Sequence, residues 1–355
     1  MLSKRVLIGP AILLAFVLFG YPAYWLYTAS IGEELLHDWI DEQRRDGFTV
    51  NHGPIETTGF PFLVRIKISA PDASNPAVGL SWRSEKLHLD LQPWDLKRYR
   101  LEAFGAQQMR YRGQEEEGDF TANTTGIEGV AVIGDSGNLA ALSLVLKNVQ
   151  ITEADRGSLL KTNRVLADIV RPGHPPIAHT EPALEISVAA EQIALAALHA
   201  PILGDTIGSI KAKAVFLGPL DGDTVFHAIS EWRRSGGTLE VHWLNMIWGA
   251  LDLRANGTMA LDTRMRPLGA LTADIRGYEE TLEALAEANL LRRDILPASR
   301  VTLNLLAKTS PSDGRRVLTV PITAQEGAFF LGRIKLADLP PLLTQSPARP
   351  SARQD

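Results

Sequence analysis

Gly134-Asp135-Ser136-Gly137 is the stretch whose residue types come nearest to a catalytic signature, the tetrapeptide around the nucleophile of trypsin-like serine proteases. A nucleophilic serine needs a base oriented by a carboxylate and a prepared oxyanion site. Here Asn138 stands where that family has glycine, and no Ala-Ala-His-Cys-like segment precedes it. The upstream histidines are His37, His52 and His88 alone, so the stretch reads as a polar turn. His174 and His179 offer two imidazoles in a proline-rich segment, where a metal site needs three or four converging ligands. Asp221-Gly222-Asp223 begins like a calcium loop but lacks the later acidic positions. Asn123-Thr124-Thr125 and Asn256-Gly257-Thr258 fit the glycosylation sequon, as short motifs do by chance in a chain this long. GxGxxG, a Walker-type loop, HExxH and a nucleophile elbow are all missing. The reading is a non-enzymatic protein with no cofactor, no metal and no catalytic residues; a hydrolase ranks third among the functions considered.

Composition narrows the classes further. The 355 residues carry 36 Lys and Arg against 41 Asp and Glu, a net charge of −5. No basic stripe is present to neutralise phosphates, which argues against nucleic acid as a partner. There is no cysteine, so disulfides, thiolate nucleophiles and cysteine metal sites are excluded and stability must come from burial.

The element that positions everything else is Val6–Tyr27, with no charged residue between Arg5 and Glu33. About 20 apolar residues suffice for a helix to cross a bilayer. Val6, Leu7, Ile8, Ile12, Leu13, Leu14, Phe16, Val17, Leu18 and Phe19, with Trp25 near the end, are read as the membrane anchor. Such side chains favour insertion by about 0.3–0.6 kcal/mol each at central positions. Lys4 and Arg5 before the segment keep the N-terminus cytoplasmic, and the remaining chain lies beyond the membrane. Tyr21, Tyr24, Trp25 and Tyr27 suit the outer aromatic belt. A cleaved signal peptide is the competing reading, with Thr28-Ala29-Ser30 as the cut. Both readings export the body.

Beyond the anchor, Ile31, Leu35, Trp39 and Ile40 predict a helix over Ser30–Asp46 that lays this stripe on the first strands. The period then changes to two. Phe60, Phe62, Val64, Ile66 and Ile68 predict one strand; Val78–Trp82, Leu87–Leu91 and Tyr99–Tyr111 predict others. Gln114–Asp119 reads as an acidic loop, followed by short strands at Phe120–Thr124, Gly129–Ile133 and Leu139–Val149. Ser158–Val170 fits helix or strand, and Leu184–Val188 resumes a strand. Gln192–His199 and Gly222–Arg234 look like short helices. Gly237–Gly277 predicts about four strands with turns at Asn256-Gly257 and Arg266–Gly269. A helix over Tyr278–Leu291, burying Leu282, Leu285 and Leu290, precedes strands at Val301–Ala307, Arg316–Thr323 and Ala328–Leu336.

The expected fold class is therefore mainly β (β-rich α+β): an N-terminal transmembrane helix, then curved antiparallel sheets or meanders with a few short packing helices. The expected division is 1–29 stub and anchor, 30–171 helix plus β half, 172–183 Pro-rich connection, 184–343 second β half, and 344–355 disordered tail. Phe60, Phe62, Trp82, Trp94, Trp243 and Trp248 are the candidates to line an apolar groove; such residues are also common in cores.

Three segments together carry a resemblance: Gly59-Phe60-Pro61-Phe62 with its strand, Leu87–Trp94, and Trp232 through Gly236-Gly237, Trp248–Leu251, Gly257 and Pro267–Leu271 to Gly277. With the anchor, this resembles the alphaproteobacterial envelope proteins grouped as domain-of-unknown-function family 2125, over roughly Leu35 to Leu343. The resemblance implies a bacterial inner-membrane anchor and a periplasmic domain, with no activity to transfer. In build the chain is also similar to AsmA-like envelope proteins, whose concave apolar sheets are thought to carry lipid. The expected function is a periplasmic domain that binds lipid or another amphiphile in an apolar groove. A scaffold for envelope proteins, docking through a sheet edge or the Ser30–Asp46 helix, is the alternative.

Overall fold

The computed structural model describes residues 16–77, 79–112, 118–135, 137–196, 203–222, 225–288, 296–309, 314–332 and 334–342. The chain is mainly β and divides into two compact units, Met1–Leu139 and Ala140–Asp355.

In the first unit a π-helical turn, Phe16–Gly20, leads into α1 (Tyr21–Arg45). Pro22 is tolerated at the start of α1, and Arg44 and Arg45 complement the dipole at its end. The strands are β1 (Thr49–Asn51), β2 (Ile55–Thr58), β3 (Val64–Ser69), β4 (Asp72–Asn75), β5 (Leu80–Gln92), β6 (Asp95–Arg112) and β7 (Asp119–Ile133). Antiparallel ladders run β2–β3–β5–β6–β7, with β1 on β4 and β4 on β5.

Trp25 and Ala29 of α1 join Val64, Ile66, Ile68 and Leu91 in one buried cluster, with Leu36 packed against it. Gly32 lets the helix approach: a Cβ there would stand 3.1 Å from Leu91 Cδ2 and 3.2 Å from Ile66 Cδ1. This corrects the expected stripe. Ile40 is buried, but Leu35 and Trp39 are exposed, because the small residues rotate a different face onto the sheet. The strand expected from Phe60 begins only at Val64. Phe62 and Leu63 donate to the Gly59 carbonyl at 3.2 and 3.1 Å, so Phe60 and Phe62 sit in a turn, outside the alternation.

The second unit contains β8 (Leu139–Glu153), β9 (Gly157–Val170), β10 (Pro182–Leu195), β11 (Thr206–Leu217), α2 (Val225–Arg234), β12 (Thr238–Trp248), β13 (Leu251–Leu261) and β14 (Pro267–Arg276). Then come α3 (Tyr278–Glu287), α4 (Leu296–Leu306), β15 (Lys308–Thr309), β16 (Arg316–Gln325), β17 (Ala328–Leu331) and β18 (Ile334–Asp338). From β8 to β14 each strand pairs antiparallel with the next; β16 extends the sheet from β14, followed by β17 and β18.

Several expectations change here. The proline-rich segment joins β9 to β10, which pair with each other through Val170 and Glu185, so it is a loop inside the second unit. Residues 192–195 continue β10, since their backbone groups are claimed by neighbours on both sides. Gly237–Gly277 holds three strands, because Asn256-Gly257 lies within β13. Gly257 and Gly269 have φ of +152° and +150°, and a Cβ on either would meet a backbone carbonyl of the neighbouring strand at 2.3 Å. Gly257→Val should therefore lower stability by at least about 1–3 kcal/mol, read as a fall in the urea midpoint. The expected strand at Val301–Ala307 is instead helix α4: Leu303 packs into two apolar clusters, and Tyr278 donates a 2.7 Å hydrogen bond to Asn304.

Among the described residues no helix is long and apolar enough to cross a membrane. Val6, Leu7, Ile8, Ile12, Leu13 and Leu14 lie outside the described residues, as do the side chains of Phe16 and Val17, most of the acidic Gln114–Asp119 segment, Leu290 and the 344–355 tail.

Candidate functional site

Residues directly opposite one another in paired strands project from the same sheet face. Followed across the second unit, the register places Leu146, Val165, Ala190, Ile210, Met246, Leu253, Ile275 and Leu318 in one row from β8 to β16. The adjacent row is Leu144, Ala167, Val188, Ala212, Leu244, Ala255, Ala273 and Val320. Neither row contains a polar side chain. The opposite face carries charge: Lys211 pairs with Glu191 and Lys213 with Glu185, each at 2.8 Å, and Arg276 with Asp252 at 3.1 Å.

Cover is uneven along the rows. At the β13–β14–β16 end, Tyr278 of α3 and Leu303 of α4 pack onto the apolar face, and Leu253, Ala255, Ala273, Ile275, Leu318 and Val320 are buried. From β8 to β12 the row residues are only half-buried, and Val188 reaches 38% exposure against 1% for Leu318. Five strands at about 4.8 Å spacing make this region roughly 20 Å wide. Lined in these two rows by aliphatic side chains and Met246, it offers a surface that can exclude water from an apolar chain.

The six groove candidates are divided between the units, and the two in the second unit lie on opposite faces of its sheet. Trp248 pairs with Leu251 and Ile207 on the apolar face, its indole N–H donating to the Gly204 carbonyl at 2.8 Å. Trp243 pairs with Lys213 on the charged face, because it is the neighbour of Leu244 in unbroken register with β11 and successive side chains alternate. In the first unit Trp82 stands opposite Met109, while Phe60, Phe62 and Trp94 occupy turns. Trp25, expected in the anchor, is 7% exposed and donates to the Leu63 carbonyl at 2.9 Å. Tyr24 donates to the Pro93 carbonyl at 2.6 Å and Tyr21 to that of Pro61, so these rings are tied to the body.

Leu144, Leu146 and Val188 fall in segments expected as strands, but the face that the row residues of β8–β11 share escaped sequence reading. In β10 the alternation is written in alanine and valine against serine and alanine, as in Ser187-Val188-Ala189-Ala190, which gives little hydrophobic contrast. Their opposition across strands is a property of register, which one sequence does not display.

Polar clusters elsewhere are built mostly from ion pairs and hydrogen bonds among their own members, although the buried Nδ1 of His88 has no hydrogen-bond partner. Arg65 binds Asp90 with two hydrogen bonds, one at 2.6 Å, and this bond raises the guanidinium's pKa. His88, 4.8 Å from the Phe104 ring, has its pKa lowered by burial first and by Arg65 second. The cleft lined by Asp252, Arg254, Asp274 and Arg276 has its acids engaged: Asp252 by Arg276, and Asp274 by a 2.6 Å bond from Thr319. Asp135 of the protease-like tetrapeptide pairs with Lys97, which lowers its pKa; Ser136 is outside the described residues. His174 and His179 are exposed, and among the described residues no group of three or more potential ligands is placed to hold a metal ion.

The family described as an uncharacterized protein conserved in bacteria, DUF2125, matches residues 25–340. Neither the curated proteins nor the solved structures contain a match.

Proposed function

The chain belongs to the bacterial DUF2125 family, and from that premise we propose that it is a non-enzymatic binder of acyl chains, held at the inner membrane with its body in the periplasm. The observation that carries this reading is the loss of cover along one continuous apolar face, from the helix-capped β13–β16 end to the half-exposed β8–β12 end. An apolar sheet face of that width gains from a hydrophobic occupant at about 25 cal/mol per Å² removed from water. Detergent-free extraction of the protein followed by lipid mass spectrometry tests it. Co-purifying acyl chains are expected; no lipid, together with no uptake of a fluorescent fatty acid, overturns it.

The membrane placement is supported by the uncharged Val6–Tyr27 sequence with Lys4 and Arg5 before it. Cleavage at Thr28-Ala29-Ser30 would strip Trp25 from the buried cluster and remove the Tyr24 and Trp25 hydrogen bonds. The protein isolated from membranes should therefore keep its leader, which intact mass measurement checks. Exposed Leu35 and Trp39 on α1 favour a second reading, a scaffold for an envelope protein, which a dominant cross-linked partner without lipid would support.

A further inference from the structure

Three large apolar side chains stand out from the first unit where α1 begins: Phe60 at 53% exposure, Phe62 at 73% and Trp94 at 63%. They belong to two turns that are far apart in sequence but fastened to the same helical segment. The Gly59–Leu63 turn receives hydrogen bonds from Tyr21 and Trp25, and the Phe60 ring packs edge-on against Trp25 at 5.6 Å. The Pro93-Trp94 turn receives the Tyr24 hydroxyl. Leu18 and Phe19, immediately before α1, are exposed as well, and the uncharged leader precedes them. Aromatic residues concentrate at the headgroup level of membranes, where rings lie between water and hydrocarbon.

We propose that Phe60, Phe62 and Trp94 form a seat that dips into the headgroup layer of the phospholipid bilayer, setting the body's height and tilt at the membrane. The occupant follows from what leads into the patch: a charge-free sequence running directly into the residues that hold the two turns. This inference rests on the anchor reading above. It reassigns the aromatic belt, because Tyr21, Tyr24 and Trp25 spend their polar tips on the turns and leave Phe60, Phe62 and Trp94 facing outward.

The absence of native cysteine makes the test clean, since one introduced thiol is the only labelling site. Full-length Phe62→Cys, Trp94→Cys, Leu18→Cys and Arg45→Cys carry an environment-sensitive fluorophore and are reconstituted into phosphatidylglycerol–phosphatidylethanolamine vesicles. Arg45 ends α1, roughly 36 Å from Tyr21 at 1.5 Å per residue. Labels at 62 and 94 should shift to the blue and lose emission to a headgroup nitroxide lipid, while the label at 45 stays aqueous. An aqueous signal at 62 and 94 with a lipid signal at 18 overturns the seat and leaves the anchor standing. An aqueous signal at 18 overturns both. A blue shift at 62 and 94 that appears on self-association without vesicles, and is blind to the nitroxide, assigns the patch to a second copy and overturns the bilayer.

Discussion

Replacing Val188 and Ala212 together with glutamate is expected to abolish acyl-chain binding while leaving the protein folded. The two residues are directly paired on β10 and β11, in the part of the apolar face that is left half-buried or exposed among the described residues. Val188 is 38% exposed, so a carboxylate there keeps its water in the unoccupied protein. An acyl chain laid over the row must strip that water away without supplying a hydrogen bond, at about 1–3 kcal/mol or more per group. Two such groups weaken binding by roughly a hundredfold or more, since each 1.4 kcal/mol is about tenfold. Ala189→Glu places the same charge on the opposite face and should leave binding unchanged, which separates the face from the fold. Titration with a fluorescent fatty acid reads both variants, and far-ultraviolet circular dichroism reports the strands.

Trp25→Ala should be the most damaging single truncation in the first unit. The ring is 7% exposed, packs with Val64, Ile66 and Leu91, meets Phe60 edge-on and satisfies the Leu63 carbonyl. Loss of a buried aromatic side chain costs about 3–5 kcal/mol, a large share of the stability of a domain. The urea midpoint of the first unit should fall accordingly. Trp25→Phe keeps most of the apolar contact and loses the hydrogen bond, so its effect should be clearly smaller. If the two variants unfold alike, the indole N–H contributes more than the burial.

These two positions show how differently the sequence exposes its physics. Strand-rich architecture was legible, because Ile66 and Ile68, or Leu87, Leu89 and Leu91, alternate sharply with charged neighbours. Trp25 was not. Its apolar, uncharged surroundings read equally well as membrane anchor, and only the distant Leu63 carbonyl and the Ile66 face reveal its partners. Gly32 and Ala29 misdirect in the same way, since a stripe judged by hydrophobicity passes over the small residues that let a helix come close. Gly257 looked like a hairpin turn after Asn256, yet β12 and β14 pair on either side and hold it extended. Leu303 and Leu305 alternate like a strand, but Leu303 docking beside Tyr278 makes the segment helical. The candidate face was the least legible of all, because its residues come from eight strands and only register aligns them.

From β8 to β14 every ladder joins a strand to its immediate successor in the chain. Each closure joins neighbours in sequence, the longest across residues 218–237 that carry α2, and assembly can proceed as a zipper from the leading end. A polypeptide delivered N-terminus first would lay down these strands in the order in which they arrive. α3, α4 and β16 come after them, so the pieces that bury the β13–β14 end arrive once those strands are already laid down. Until then the β13–β14 end of the greasy surface would lie bare, which makes this the interval in which the nascent molecule most needs a hydrophobic companion.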